Sequence, residues 1–224
     1  MIDSSLLLTI AVIGGSGKEG KGLAYRWAKA GYRVLIGSRS PEKAIATSSE
    51  IIQLLEGGSS TVGMTNLEAV MQANVVVLTV PYMAHQATLE LIKGEMAGKI
   101  LIDVTVPINR SAITKVKMPP AGSAAQEAKQ ILGESSEVAA AFHSISHEYL
   151  LQDKEIESEV LVTGTSKETR DEAIKLVFAA GLTGWDAGPL ENSVVIEGLT
   201  SVLININKRY GSTNAGIKIT GVVK

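Results

Sequence analysis

Residues 6–40 constrain this chain more tightly than any other segment. An apolar run, Leu6-Leu7-Leu8-Thr9-Ile10-Ala11-Val12-Ile13, ends in Gly14-Gly15-Ser16-Gly17-Lys18-Glu19-Gly20. A helical pattern follows, and then a second apolar run that closes on Gly37-Ser38-Arg39-Ser40. The order strand, glycine turn, helix, strand aims the free N–H groups and positive dipole end of the helix at whatever sits over the turn.

Gly15-x-Gly17-x-x-Gly20 has the spacing that binds a dinucleotide. The first glycine allows the tight turn, the second lets a pyrophosphate approach the backbone, and the third lets the helix pack on the strand. Ser16, Lys18 and Glu19 fill the positions between them and belong to the same phosphate cradle. An NAD site ends its second strand on Asp or Glu, which holds the ribose hydroxyls; this chain has Ser38-Arg39 there. A carboxylate repels a 2′-phosphate, whereas a guanidinium grips it through a charge-assisted fork, so the expected nucleotide is NADP. Lys43, in the first turn of the next helix, is a second cation for that phosphate or a solvated helix residue.

Beyond this unit, strand and helix patterns alternate. Val75-Val76-Val77-Leu78-Thr79 is a continuous β-branched run of the kind found in central parallel strands. The turn Val80-Pro81 ends it at the edge where a nicotinamide belongs, and His85 follows at the start of a helix, touching the cofactor or lying on the surface. Strands are expected at 99–104, 138–142, 160–163 and 184–187, with a proline-containing loop over 105–121. Ser40 and Ser123 stand where helix N-caps belong, and Pro41 at a first helical position. The last helix, 192–210, carries a wide apolar stripe through Ile196, Leu199, Val202, Leu203 and Ile206. The expected class is α/β, a doubly wound, mostly parallel Rossmann-type sheet with a small, partly helical C-terminal domain. Residues 1–141 are read as the NADP-binding domain, and 142–224 as the part that completes a second cofactor cleft.

Composition removes several chemistries. There is no cysteine, hence no disulfide, thiolate catalysis or Cys-based metal site. The net charge of −2, without a basic block, and an aromatic content of 4% argue against nucleic acid as a partner. The first residues read as neither a signal peptide nor a membrane span, so a soluble, cytoplasmic protein is expected. The three histidines, His85, His143 and His147, have no acidic partner at metal-site spacing, and no metal is expected. His143 directly follows a strand, where a binding group belongs, although a structural histidine fits the same position. No general base stands out beside the nicotinamide position, which favours a second redox cofactor as hydride partner over a hydroxyl substrate.

Gly14-Gly15-Ser16-Gly17-Lys18-Glu19-Gly20-Lys21-Gly22-Leu23-Ala24, Ile36-Gly37-Ser38-Arg39, Ala140-Ala141-Phe142-His143 and Asp186-Ala187-Gly188-Pro189-Leu190 together resemble the NADPH-dependent coenzyme F-420 reductase family. The terminal Gly216-Ile217-Lys218-Ile219-Thr220-Gly221 resembles that family's C-terminus. The resemblance implies direct hydride transfer between NADP and the deazaflavin of coenzyme F-420. It also implies that His143 hydrogen-bonds the deazaflavin and Ile145 backs its ring, with Thr200 and Asn205 as further contacts. The chain departs from the family's pattern at Val194 and Gly198, where that pattern carries Arg and Ser. Three other readings stay open at this point: a soluble NADPH-dependent flavin reductase, a ferric or cupric reductase, and a non-catalytic NADP sensor. The apolar stripe of the last helix is core packing, one wall of the ligand cleft or the face of a homodimer.

Overall fold

Along the central strands, apolar side chains alternate between two cores. In β1 (Thr9–Ile13), Ile10 and Val12 face one side of the sheet, Ala11 and Ile13 the other. In β4 (Val75–Leu78), Val75 and Val77 oppose Val76 and Leu78 in the same way. A strand buried on both faces needs helices on both faces, which the β/α alternation supplies. The other strands are β2 (Arg33–Ser38), β3 (Thr61–Thr65), β5 (Ile100–Asp103), β6 (Glu137–Ala140), β7 (Val160–Gly164) and β8 (Gly184–Pro189). The computed structural model describes residues 8–152 and 154–222. In it these strands form one sheet in the order β3-β2-β1-β4-β5-β6-β7-β8. The chain runs outward from β1 and then restarts at β4 on the other side of β1, so a crevice opens between the carboxyl ends of β1 and β4.

One face carries α1 (Lys18–Lys29), α2 (Pro41–Leu54), α6 (His147–Leu150) and α7 (Lys167–Ala179) over the core around Trp27. The other carries α3 (Asn66–Gln72), α4 (Tyr82–Ile92) and α5 (Ala124–Leu132), with Ile196 added from α8 (Ser193–Tyr210). The expected class holds, and every element expected from the apolar pattern is present within a few residues. Positions 6 and 7 of the expected first strand lie outside the described residues. Ser123 caps α5 by accepting from the Gln126 N–H. Ser40 occupies the N-cap of α2 but does not cap it; its hydroxyl donates to the Glu42 carboxylate.

Two departures matter for the site. β6 ends at Ala140 instead of Phe142, because Phe142 takes a φ of 71° and turns the chain out of the sheet. β7 then pairs antiparallel to β6. The stretch between them holds only the four-residue α6, too little helix for a crossover, so the chain comes back along the same edge reversed.

Arg26 ties α1 to the later half of the chain. Its guanidinium donates to the carbonyls of Leu150, Tyr149, Gln152 and Ala180 at 2.8–3.1 Å. Beside it, the fully buried Trp27 donates from Nε1 to the Leu176 carbonyl and meets the Phe142 ring edge-on at 5.8 Å. Replacing Arg26 by Ala leaves several carbonyls without a charged donor and is expected to lower the unfolding free energy by about 2–4 kcal/mol, measured by urea denaturation. Arg26→Lys, which keeps the charge but not the fork, should recover only part of it.

Candidate active site

The turn between β1 and α1 is built by close approach. Gly14 has a φ of +75°, and a Cβ there would lie 2.8 Å from Val80 Cγ1. A Cβ on Gly20 would lie 2.5 Å from Thr79 Oγ1 and 2.8 Å from Gly15 Cα, so only glycine lets α1 seat against the β4 turn. No side chain caps α1, which leaves its first N–H groups to a ligand.

Over this turn lies a cleft of about 590 Å³. Ser16, Gly17, Lys18, Glu19, Ser38, Arg39, Lys43, Val80 and Pro81 all line it, as the sequence leads one to expect. Arg39 and Lys43 are exposed at its mouth, and neither makes an ion pair among the described residues. Ser38 sits deeper, its Oγ accepting from the Ser40 N–H at 3.2 Å and lying 3.3 Å from Ser16 Oγ. Two expected residues do not reach this cleft. Gly15 is buried behind it, its N–H donating to the Gly37 carbonyl, so its part is to shape the turn. His85 is neither a cofactor contact nor a surface residue. It is 0% exposed, with Nε2 2.7 Å from Asp103 Oδ2 and Nδ1 3.2 Å from Glu127 Oε1.

A second pocket, about 380 Å³, adjoins the first. Glu19, Val104, Val106 and Ile108 line both. His143, Ile145 and Thr200 line the second one, as the resemblance implies. Thr200 donates to the His143 carbonyl at 2.9 Å and so fixes the loop instead of only facing the pocket. Asn205 is exposed and outside the pocket; Asn207 is the asparagine that lines it. His143 is buried, and neither of its ring nitrogens has a hydrogen-bond partner. Burial pushes its pKa down to about 4 against the nearby Asp103 charge and the Thr105 backbone, which lies near the ring without meeting hydrogen-bond geometry, so at neutral pH it is a neutral ring with one donor and one acceptor to offer. An orphaned imidazole at a pocket wall suits the polar edge of a flat heterocycle.

Beneath the shared wall lies a polar cluster that sequence reasoning missed. Asp103 ends β5 fully buried, accepting from the Thr105 N–H at 2.9 Å and so fixing the start of the 104–108 wall. Glu127 accepts from the Tyr82 hydroxyl at 2.8 Å. Glu197 accepts from the N–H groups of Ala124 and Ala125 at the start of α5. The signal that could have found Asp103 is its place at the end of an otherwise apolar strand, where an acid survives only with partners.

A family model for coenzyme F-420-dependent NADP oxidoreductases matches residues 9–107. The chain is 40% identical over 225 residues to an F-420-dependent NADP reductase of Methanothermobacter thermautotrophicus, covering 97% of both chains. It is 39% identical over 222 residues to that of Methanothermobacter marburgensis, covering 96% of this chain and 99% of the other. The chain belongs to the family of F-420-dependent NADP reductases. Among solved structures, an Arthrobacter sp. FB24 protein provisionally described as an F-420-dependent NADP reductase aligns with a TM-score of 0.81 over 96% of this chain and 100% of that one; at 22% identity it shares the fold.

Three groups make this family member's stability depend on pH: Glu197 and His85, both fully buried, and the partly buried Glu19. Burial pushes Glu197 up to about 8 against the pull of its two backbone donors, and burial alone pushes Glu19 up to about 8. His85 is raised as well: burial opposes its charge, but Asp103 and Glu127 outweigh it. In each case the folded state holds a proton that the unfolded chain has already released above neutrality. For the two glutamates stability should therefore fall as pH rises from about 5 to about 8 and level off above it, by up to about 1.4 kcal/mol per pH unit for each proton, and His85 adds its loss above its unfolded value of 6.5. Denaturation midpoints across that range check this, and the decline should be shallower in Glu197→Gln.

Proposed function

We propose that this chain moves a hydride directly between NADP(H) and the deazaflavin coenzyme F-420, with one ring in each of the two adjoining pockets. The single observation that carries the reading is their shared wall of Glu19, Val104, Val106 and Ile108. The archaeal relatives, F-420-dependent NADP reductases over nearly their full length, support it ahead of a flavin reductase, a ferric or cupric reductase or a non-catalytic sensor.

Arg39 and Lys43 bind the 2′-phosphate as free cations at the cleft mouth, and the Ser38 hydroxyl adds a short-range contact. The first turn of α1 and Gly17 take the pyrophosphate, and Val80-Pro81 edge the nicotinamide. The nicotinamide and the deazaflavin supply the hydride chemistry, one as donor and the other as acceptor. His143 orients the polar edge of the second ring through its unpartnered nitrogens, and Ile145 backs that ring. The apolar side chains of Val104, Val106 and Ile108 exclude water from the junction. The protein's contribution is thus proximity and alignment, without a covalent intermediate. In this reading residues 1–141 hold the nucleotide and 142–224 the second cofactor.

Among the described residues no helix is long and apolar enough to cross a membrane. We propose that the protein works in the cytoplasm, without a nucleic-acid partner, and pairs through α8, whose Val195, Val202 and Tyr210 stand exposed.

Arg39→Ala should weaken NADPH binding by about 1–3 kcal/mol and leave NADH binding nearly unchanged, measured by nucleotide titration. Equal losses would remove the phosphate assignment. Stopped-flow mixing of enzyme, NADPH and coenzyme F-420, with free flavin as control, tests the reaction itself. Rapid bleaching of the deazaflavin is expected, and Ile145→Gly should slow it more than it weakens NADPH binding. Reduction of flavin alone would overturn the reading.

A further inference from the structure

Glu19 is the one carboxylate in the shared wall between the two pockets. It lies in the first turn of α1, and its Oε1 is enclosed without a hydrogen-bond partner. The titratable and charged groups on the elements around it are Lys18 beside it, Arg39 and Lys43 across the nucleotide cleft, Tyr82 on α4, and His143 and His147 in the second pocket. None of them forms an ion pair with Glu19 among the described residues.

The amino end of a helix ordinarily favours a carboxylate charge. That same end is where the pyrophosphate belongs in the proposed function, on which this inference rests. Two anions compete for one set of N–H groups and one dipole end, and the enclosed Oε1 of Glu19 has no water-facing side on which to spread its charge. The nucleotide brings several permanent charges, whereas Glu19 can discard its single charge by taking a proton. We propose that Glu19 is a positioning residue that carries a proton whenever the nucleotide is bound, so that in alkaline solution binding takes one proton from solvent onto this carboxyl. The neutral acid then offers one O–H donor and a carbonyl acceptor at the boundary of the two ring sites, with no charge next to the travelling hydride. The free protein is already poised for this, because burial alone raises the Glu19 pKa to about 8.

Proton-linked calorimetry of the whole chain with NADP in buffers of different ionisation enthalpy tests the proposal. At pH 9 the 2′-phosphate is fully ionised free and bound, and contributes nothing. Wild type should take up close to one proton, and its affinity should fall about fivefold from pH 8 to pH 9 in the absence of other linked groups. Glu19→Gln should bind NADP with no proton uptake and a flat profile. Binding without uptake, or uptake unchanged in Glu19→Gln, overturns this inference alone; failure of NADP to bind at any pH overturns the proposed function with it. Should the variant not fold, infrared spectra of glutamate-labelled wild type serve instead. A neutral carboxylic acid band that appears at pH 9 on adding NADP is expected, and no such band overturns the proposal.

Discussion

The seating of α1 on the sheet is the constraint on which both pockets depend. Gly20 brings the helix against Thr79 and the Gly15 backbone, which sets where its uncapped first turn meets the nucleotide cleft. Two residues on, a Cβ at Gly22 would lie 2.5 Å from Leu150 Cβ, so the same turn of helix must also be bare where α6 lies across it. Farther along, Trp27 braces Phe142, whose positive φ costs about 1–3 kcal/mol unless its surroundings impose it. Phe142 directly precedes His143. One helix therefore fixes the uncapped N–H groups at its start, where the proposed function puts the phosphates, and the imidazole that stands near its end.

Charge is sorted by depth around the junction. The cations Lys18, Arg39 and Lys43 stand exposed at the mouth, where they attract an anionic nucleotide and are screened by salt. The acids Asp103, Glu127 and Glu197 lie beneath the wall, each held by hydrogen bonds, so they brace it without meeting the ligand. A chain of net charge −2 thereby presents a positive entrance. His85 is the residue this sorting misleads: a histidine one turn into a helix after the nicotinamide edge has the right address, but its ring turns inward to Asp103.

The parallel half of the fold is legible in the sequence because local signals and tertiary demands agree there. Strands such as Val75–Leu78 are continuous apolar runs because both faces are covered, and the glycine spacing dictates the turn. The reversal between β6 and β7 is not legible, because nothing local distinguishes a strand that returns along the same edge from one that crosses over. The cleft residues are legible because they sit at strand ends, whereas the acids beneath the wall meet side chains and helix starts 18 to 73 residues away. Asn205 shows how a helix misleads when its phase is ignored. Asn207 stands two turns from Thr200 and shares its face, while a residue five positions on is rotated well away.

The C-terminal tail crosses behind the His143 loop. Ile217 accepts from the Glu159 N–H and donates to Ser158 Oγ, while the Ser144 hydroxyl donates to the Glu159 carbonyl. The Ile219 N–H adds a bond to the Glu159 carboxylate. Backbone from the far end of the chain thus staples the second pocket from outside. In the proposed function a ring resting on Ile145 would thus lean on a loop whose backing comes from residues that line neither side of the hydride's path.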